Sequence, residues 1–210
     1  MIHILIADDH AIVRRGLKQI LDEEPGLAIV SEAENGQDVL DMSRHRTWDL
    51  VILDINLPGR SGIDILNELH YTYPKLPVLI LSMYPEDQYA LRVLNAGASG
   101  YLTKQSAPEE LVKAIKKIRG GGKYYSDAVI DQLVTKPEAR QVKPTHEILS
   151  DREFQVMVLI ASGKTLSEIG ENLALSIKTV STYRKRILTK LNLKNNAELI
   201  HFALKNKLVE

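Results

Sequence analysis

Leu50-Val51-Ile52-Leu53-Asp54, followed by Asn56-Leu57-Pro58-Gly59 and Ser61-Gly62, is the stretch on which the fold turns. Its four apolar residues read as a buried strand, and Asp54 closes it. A carboxylate at the end of a buried strand is costly unless it is paired, hydrogen-bonded or bound to a metal. Three other apolar runs also end in chemistry-bearing residues. Ile4-Leu5-Ile6-Ala7 runs into Asp8-Asp9, Val78-Leu79-Ile80-Leu81 into Ser82, and Tyr101-Leu102-Thr103 into Lys104. With the four strands parallel in one sheet, three carboxylates, a hydroxyl and an ammonium converge in one cleft.

The surrounding sequence supports that sheet. Strand patterns fall at 2–7, 27–33, 49–54, 77–82 and 99–103, and helix patterns at about 11–22, 36–46, 61–71, 86–96 and 107–119. Gly97 reads as a helix stop, and Ser106 with Glu109 as a capping box opening the fifth helix. Five βα units in series imply an α/β fold with a parallel sheet covered on both faces. Right-handed crossovers leave a crevice at the carboxyl ends of the strands, where Asp9, Asp54, Ser82 and Lys104 fall.

The pattern changes after Gly120-Gly121-Gly122. Ser126 to Val134 suits a short helix. Thr135 to Thr145, with Pro137, Pro144, Lys136, Glu138, Arg140 and Lys143 and no apolar periodicity, reads as a linker. We expect a first domain over 1–122, a linker with a short helix over 123–146, and a second, all-helical domain over 147–210. In the last, Ser150-x-x-Glu153 and Thr165-x-x-Glu168 are capping boxes, Ser176 can cap a third helix, and Asn195 or Asn196 a fourth. The middle pair, joined through Ala174-Leu175, has helix-turn-helix spacing.

The chain of 210 residues is 44% hydrophobic and 26% charged, which suits an ordinary globular protein. No apolar run nears the ~20 residues that span a bilayer, and the N-terminus does not read as a signal peptide. The expected location is the cytoplasm, without a membrane partner. The absence of cysteine excludes disulfides and thiolate zinc sites. The zero net charge hides a polarity: residues 1–125 carry 14 basic and 17 acidic side chains, and 146–210 carry 10 and 7. Residues 176–194 hold Lys178, Arg184, Lys185, Arg186, Lys190 and Lys194 and no acid. Such a run is either a solvated helix face or a surface for a polyanion.

In the acidic cleft, paired carboxylates suit a hard cation such as Mg²⁺. Asp9 and Asp54 can bind it directly, with Asp8 acting through water. A carboxylate oxygen can attack phosphorus and form an acyl phosphate, with Lys104 and Ser82 meeting the phosphoryl oxygens. In the basic helix, Ile177, Val180, Ile187, Leu188 and Leu191 are expected to be buried. Lys178, Ser181, Thr182, Lys185 and Thr189 face the other way, as in a recognition helix that enters the major groove. Gly163-Lys164-Thr165 is no nucleotide loop, because Val158 stands where glycine is needed and no strand precedes it.

Two resemblances follow from these residues. Ile6-Ala7-Asp8-Asp9-His10, Asp54-x-Asn56-Leu57-Pro58-Gly59-x-Ser61-Gly62, Ser82 and Ala96-Gly97-Ala98-x-Gly100-Tyr101-Leu102-x-Lys104 resemble the receiver domain of two-component response regulators. Leu149-x-x-Arg152-Glu153, Val158-Leu159-Ile160-Ala161-x-Gly163, Glu168-Ile169, Leu173, Ser176-x-x-Thr179-Val180 and Lys190-Leu191 resemble the LuxR-type helix-turn-helix. Together the chain resembles a NarL/FixJ-type transcriptional regulator.

The resemblance implies a strand order 2-1-3-4-5 and a separate four-helix DNA-binding domain. It implies Asp54 as the acceptor of a phosphoryl group from a sensor histidine kinase or phosphotransfer protein, and Mg²⁺ held by Asp8, Asp9, Asp54 and the backbone carbonyl of Asn56. Ser82 and Tyr101 are then switch residues, the hydroxyl closing on the phosphoryl group and the ring swinging inward. Ser181, Thr182 and Lys185 would face bases of double-stranded DNA. Lys164, Thr165, Thr179 and Arg184 or Arg186 would hold phosphates, with Lys178 on the same DNA-binding surface. Helix 196–206 is either a dimer contact or plain core; a homodimer on DNA is expected once Asp54 is phosphorylated. Beyond its own phosphoryl transfer and slow dephosphorylation, no enzyme activity is expected.

Three points depart from the family pattern or compete with it. Gln105 follows Lys104 where many receivers have proline after a cis bond, so a cis Lys104–Gln105 bond is expected only if the lysine's position demands it. Relatives often carry lysine at Ser181 and histidine at Tyr183. Tyr84, two residues past Ser82, is expected to shield the acyl phosphate from water. Two rival readings are an aspartyl-phosphate phosphatase, which leaves the basic domain without a purpose, and a degenerate receiver, which the complete set of cleft residues argues against.

Overall fold

The computed structural model describes residues 1–24, 28–126, 129, 148–206 and 208–209. The chain divides into two compact units, one on each side of 131–132. The expected short helix at 126–134 falls mostly, and the linker at 135–145 wholly, outside the described residues.

In the first unit, strands and helices alternate: β1 Ile2–Ala7, α1 Ala11–Asp22, β2 Ala28–Ala33, α2 Gly36–His45, β3 Leu50–Asp54, α3 Gly62–Thr72, β4 Val78–Ser82, α4 Glu86–Asn95, β5 Gly100–Thr103 and α5 Ala107–Arg119. The five strands are parallel in the order β2-β1-β3-β4-β5, as the sequence implies. Side chains alternate across a strand. Ile4, Ile6, Ile52, Leu79, Leu81 and Leu102 therefore share one face, where they pack with Leu17 and Leu21 of α1 and Leu111, Ala114, Ile115 and Ile118 of α5. Burying one such side chain stabilises by about 1.5–3 kcal/mol. β3 and β4 are buried along their whole length. The register pairs Ala7 with Leu53, Asp54 with Leu81 and Ser82 with Thr103, so the carboxyl ends of β1, β3, β4 and β5 finish side by side.

Two glycines are required by geometry. A Cβ on Gly62 would stand 2.0 Å from the Asp54 carbonyl oxygen, because the start of α3 folds back on the end of β3 and Gly62 N–H donates to Ile55 O at 2.9 Å. Gly97, at φ +96°, turns the chain from α4 towards β5, as expected of a helix stop.

One expectation fails here. Ser106 lies in helical conformation, and its side chain makes no cap bond. The Thr103 hydroxyl takes the Ser106 N–H at 3.0 Å and also donates to Ser106 Oγ at 3.0 Å, which displaces the capping box. The Lys104–Gln105 bond is trans. Lys104 still reaches the cleft, so its position does not demand a cis bond.

After α5 the chain continues along the outer edge of β5. Tyr101 N–H donates to Tyr124 O and Tyr124 N–H to Ser99 O, both at 2.9 Å, and Tyr125 Oη donates to Ala98 O at 2.8 Å.

The second unit contains α6 Asp151–Ala161, α7 Leu166–Leu173, α8 Ile177–Lys190 and α9 Asn196–Lys205. Both capping boxes, Ser150/Glu153 and Thr165/Glu168, are formed in full. Ser176 caps α8 through the Thr179 N–H, and Asn195, rather than Asn196, caps α9 through the Glu198 N–H. Asn196 instead accepts from Arg184 Nε at 2.6 Å. Phe154, Val156, Met157, Val158 and Ile160 of α6 form the core with Ile169, Val180, Ile187, Leu199 and Ala203. Glu153, buried at the start of α6, pairs with Lys190 Nζ at 2.6 Å. The α7–α8 joint turns at Ala174 (φ 51°), and the Leu175 N–H bonds Gly170 O at 2.8 Å.

Candidate functional site

The aligned strand ends build the cleft. Asp8 and Asp54 are each 1% exposed, and Lys104 Nζ lies 2.6 Å from Asp8 Oδ2 and 2.7 Å from Asp54 Oδ2. The Asp8 Oδ2 contact is a charge pairing whose angle falls outside hydrogen-bond geometry, so that oxygen is the least satisfied in the cleft. Asp54 Oδ1 accepts the Asn56 N–H at 3.1 Å. Ser82 is fully buried, its Oγ accepting the Tyr84 N–H at 3.1 Å. Tyr101, 2% exposed, donates its hydroxyl to Tyr84 O at 2.8 Å. The Tyr84 ring stacks on Tyr89 at 4.7 Å.

Electrostatics follow from this burial. Loss of hydration pushes the Asp54 carboxyl up to about 6, and Asp8 adds to the rise, while Lys104 opposes both. Burial alone would lower Lys104, but Asp54 and then Asp8 outweigh it and raise the ammonium pKa. Burial likewise raises the Tyr101 hydroxyl. Three carboxylates face one ammonium in a small volume, a formal excess of negative charge. Ligand atoms of Asp8, Asp9, His10 and Asp54 lie within 4.8 Å of one another. This mainly oxygen donor set and its residual charge fit a hard divalent cation.

Two residues to which the sequence assigns no role contribute. His10 Nδ1 sits 2.7 Å from Asp9 Oδ1, and the His10 backbone N–H donates to Asp8 Oδ1 at 2.8 Å. Arg14, 5% exposed on α1, donates to Asp8 O at 2.8 Å and to Glu32 Oε2 at 2.9 Å, and pairs with Glu34 at 2.5 Å. The signal for Arg14 was its spacing: it follows Val13 and precedes Leu17 and Leu21, on the inward side of α1.

The second unit presents α8. Val180, Ile187 and Leu191 are buried, whereas Lys178, Ser181, Thr182, Lys185 and Arg186 are exposed. Lys178, Ser181, Thr182, Arg184 and Lys185 line one groove of about 770 Å³ together with Leu166, Ile177 and Leu188. Lys164, Thr165, Thr179 and Arg186 are outside its lining; Lys164 and Thr165 are exposed before α7, and Thr179 is half-buried beside Ser176. Ile177 corrects the expected apolar face: it is 55% exposed, because it stands on the first position of α8 at the margin of that face. Leu188 is only half-buried. Among the described residues, no helix is long and apolar enough to cross a membrane.

A receiver-domain family, described as the response regulator receiver domain, matches residues 4–116, and the luxR family of bacterial regulatory proteins matches 147–203. The chain belongs to the NarL/FixJ-type response regulators. It is 34% identical to the response regulator UvrY of Escherichia coli K12, over 99% of this chain and 96% of UvrY. It is 35% identical to GacA of Pseudomonas aeruginosa, over 100% and 99%. RcsB of Salmonella enterica serovar Typhimurium, bound to promoter P1flhDC with the phosphomimetic BeF3−, superposes with TM-score 0.63 at 27% identity, over 96% of this chain and 97% of RcsB. A structure of two RcsB dimers on two parallel DNAs gives TM-score 0.59 at 28% identity, over 100% and 99%. This response regulator is thus a DNA-binding protein with a receiver domain and a LuxR-type helix-turn-helix.

Proposed function

We propose that Asp54 is the phosphoacceptor and that its phosphorylation, from a sensor histidine kinase or phosphotransfer protein, switches DNA binding by the second unit. The observation that carries this is the Lys104 ammonium held between Asp54 and Asp8 at the carboxyl ends of β5, β3 and β1. An Asp54 oxygen forms the O–P bond as the donor's N–P bond breaks, and the electron pair of that bond stays on the donor imidazole. Lys104 exchanges its Asp54 partner for a phosphoryl oxygen, and the Ser82 hydroxyl donates to another. Asp8, Asp9, Asp54 and the Asn56 carbonyl would hold Mg²⁺, which when bound neutralises charge on the transferring group. His10 and Arg14 position the Asp8-Asp9 turn. The Tyr84 ring, kept in place by Tyr89, would slow hydrolysis of the acyl phosphate.

In the second unit, Ser181, Thr182 and Lys185 read bases, while Lys164, Thr165, Lys178, Thr179 and Arg186 hold phosphates. Arg184, tied to Asn196, contributes mainly charge. α9 divides: Leu199 and Ala203 are core, whereas Ala197 and Leu204 are exposed. We assign the exposed side, beside a groove lined by Leu193, Ala197, His201 and Phe202, to a homodimer contact. Two linked helix-turn-helix domains then gain avidity for paired half-sites. The domain limits that go with this reading are 1–122, a linker over 123–146, and 147–210, and the site of action is the cytoplasm.

Intact mass measurement after incubation with Mg²⁺ and acetyl phosphate tests it. One added phosphate, lost in Asp54→Ala, is expected. Phosphate retained in Asp54→Ala overturns the assignment of Asp54, and rapid multiple turnover of the donor favours the phosphatase reading.

A further inference from the structure

Ile177 is the apolar residue of the basic groove that faces water. It is 55% exposed at the first position of α8, and no acidic residue occurs from 172 to 197. At 3.6 residues per turn, positions four apart stand in a row along a helix. Ile177, Ser181 and Lys185 make such a row, and all three line the groove, with Leu188 beside them. Lys178 and Thr182 form the row beside it. Ile177 therefore begins the same line of side chains that the DNA-binding reading assigns to base edges, at the end of the helix that goes deepest into the major groove.

A β-branched aliphatic side chain in that position has no hydrogen bond to offer. Its contribution is removal of apolar surface from water, and its partner must supply an apolar group. On the major-groove floor only thymine does so, through its C5-methyl group. We propose that Ile177 reads a thymine methyl in each half-site, making it a specificity-determining residue beside the polar readers Ser181 and Lys185. This deepens the reading of α8 as the recognition helix and rests on it.

The test uses the full-length protein, treated with Mg²⁺ and acetyl phosphate, to select duplexes from a random-sequence library. Each thymine of the selected site is then replaced singly by deoxyuridine, which removes only the methyl group. For the native protein, one thymine per half-site should show about a fourfold loss of affinity, the value of one buried methyl. Ile177→Ala, which alters both half-sites at once, should bind the unmodified duplex about sixteenfold more weakly and be indifferent to that replacement. Its salt dependence should match the native protein, because no phosphate contact is lost. Ile177→Val, which is one methyl shorter, should fall between. Replacement penalties that all persist in Ile177→Ala overturn the proposal, as does a selected half-site without an invariant thymine. Failure to enrich any sequence would instead overturn the recognition-helix reading itself.

Discussion

Arg14→Met removes a buried guanidinium while leaving its aliphatic stem packed. The structure allows the loss to be divided. The Asp8 carbonyl loses the donor 2.8 Å away, at about 1–3 kcal/mol for a buried acceptor left unsatisfied. Glu32 is 35% exposed and Glu34 is 70% exposed, so solvent screening holds those two ion pairs to about 1 kcal/mol together. The total is about 2–4 kcal/mol of destabilisation in the first unit. Trp48 reports it cleanly. It is the chain's single tryptophan, 9% exposed, with Nε1 donating to Met42 O at 3.3 Å. With a urea slope of about 2 kcal/mol/M, the fluorescence midpoint should fall by about 1–2 M. Since Arg14 also fixes the turn that presents Asp8 and Asp9, Mg²⁺ affinity should drop about tenfold, as for other partners of metal ligands. A midpoint shift under about 0.3 M, or one reproduced in full by Glu34→Gln, would refute the central role given to the Asp8 carbonyl contact.

Gly62→Ala should destabilise the first unit by about 3 kcal/mol, because its Cβ would meet backbone at the Asp54 carbonyl oxygen (2.0 Å) and the Ile55 Cα (2.8 Å); urea unfolding within about 0.5 kcal/mol of native would show that α3 shifts freely. Glu153 has its carboxyl held below the usual range: burial opposes this, but the Lys190 bond and the Ser150 cap outweigh it. Its contribution to the second unit is therefore complete above the unfolded carboxylate value and disappears as pH falls through the lower folded value. Thermal unfolding by circular dichroism should become less acid-sensitive below about pH 4.5 in Glu153→Gln, and an unchanged slope would exclude the pair as the cause. Tyr84→Ala should shorten the lifetime of the phosphorylated form severalfold, followed by intact mass over time, and an unchanged lifetime would end the shielding idea.

The sheet and cleft were legible because β1, β3, β4 and β5 are mainly apolar runs that lead into a polar residue. Asp54, Asp8, Ser82 and Lys104 needed only parallel strands to meet. Capping boxes at Ser150 and Thr165 were equally plain, since both halves of each lie within four residues. Ser106 failed because a nearer hydroxyl, Thr103, competes for the same N–H, and local spacing does not rank competitors. Arg14 was missed because an arginine beside a second arginine on an amphipathic helix looks solvated; its partners Glu32 and Glu34 are 18 and 20 residues away. Ile177 was misjudged because periodicity names a face of a helix, while coverage of its first turn depends on where neighbouring helices end.

The return of the chain along β5 has a consequence for self-association. A rim strand with unmet amides and carbonyls is a template on which a second molecule can zip. Here Tyr124 already occupies that lane, its carbonyl on the Tyr101 amide and its own amide on Ser99, with the Tyr125 phenol pinning the next residue. Fibril-like growth from this border must first peel the protein's own continuation away.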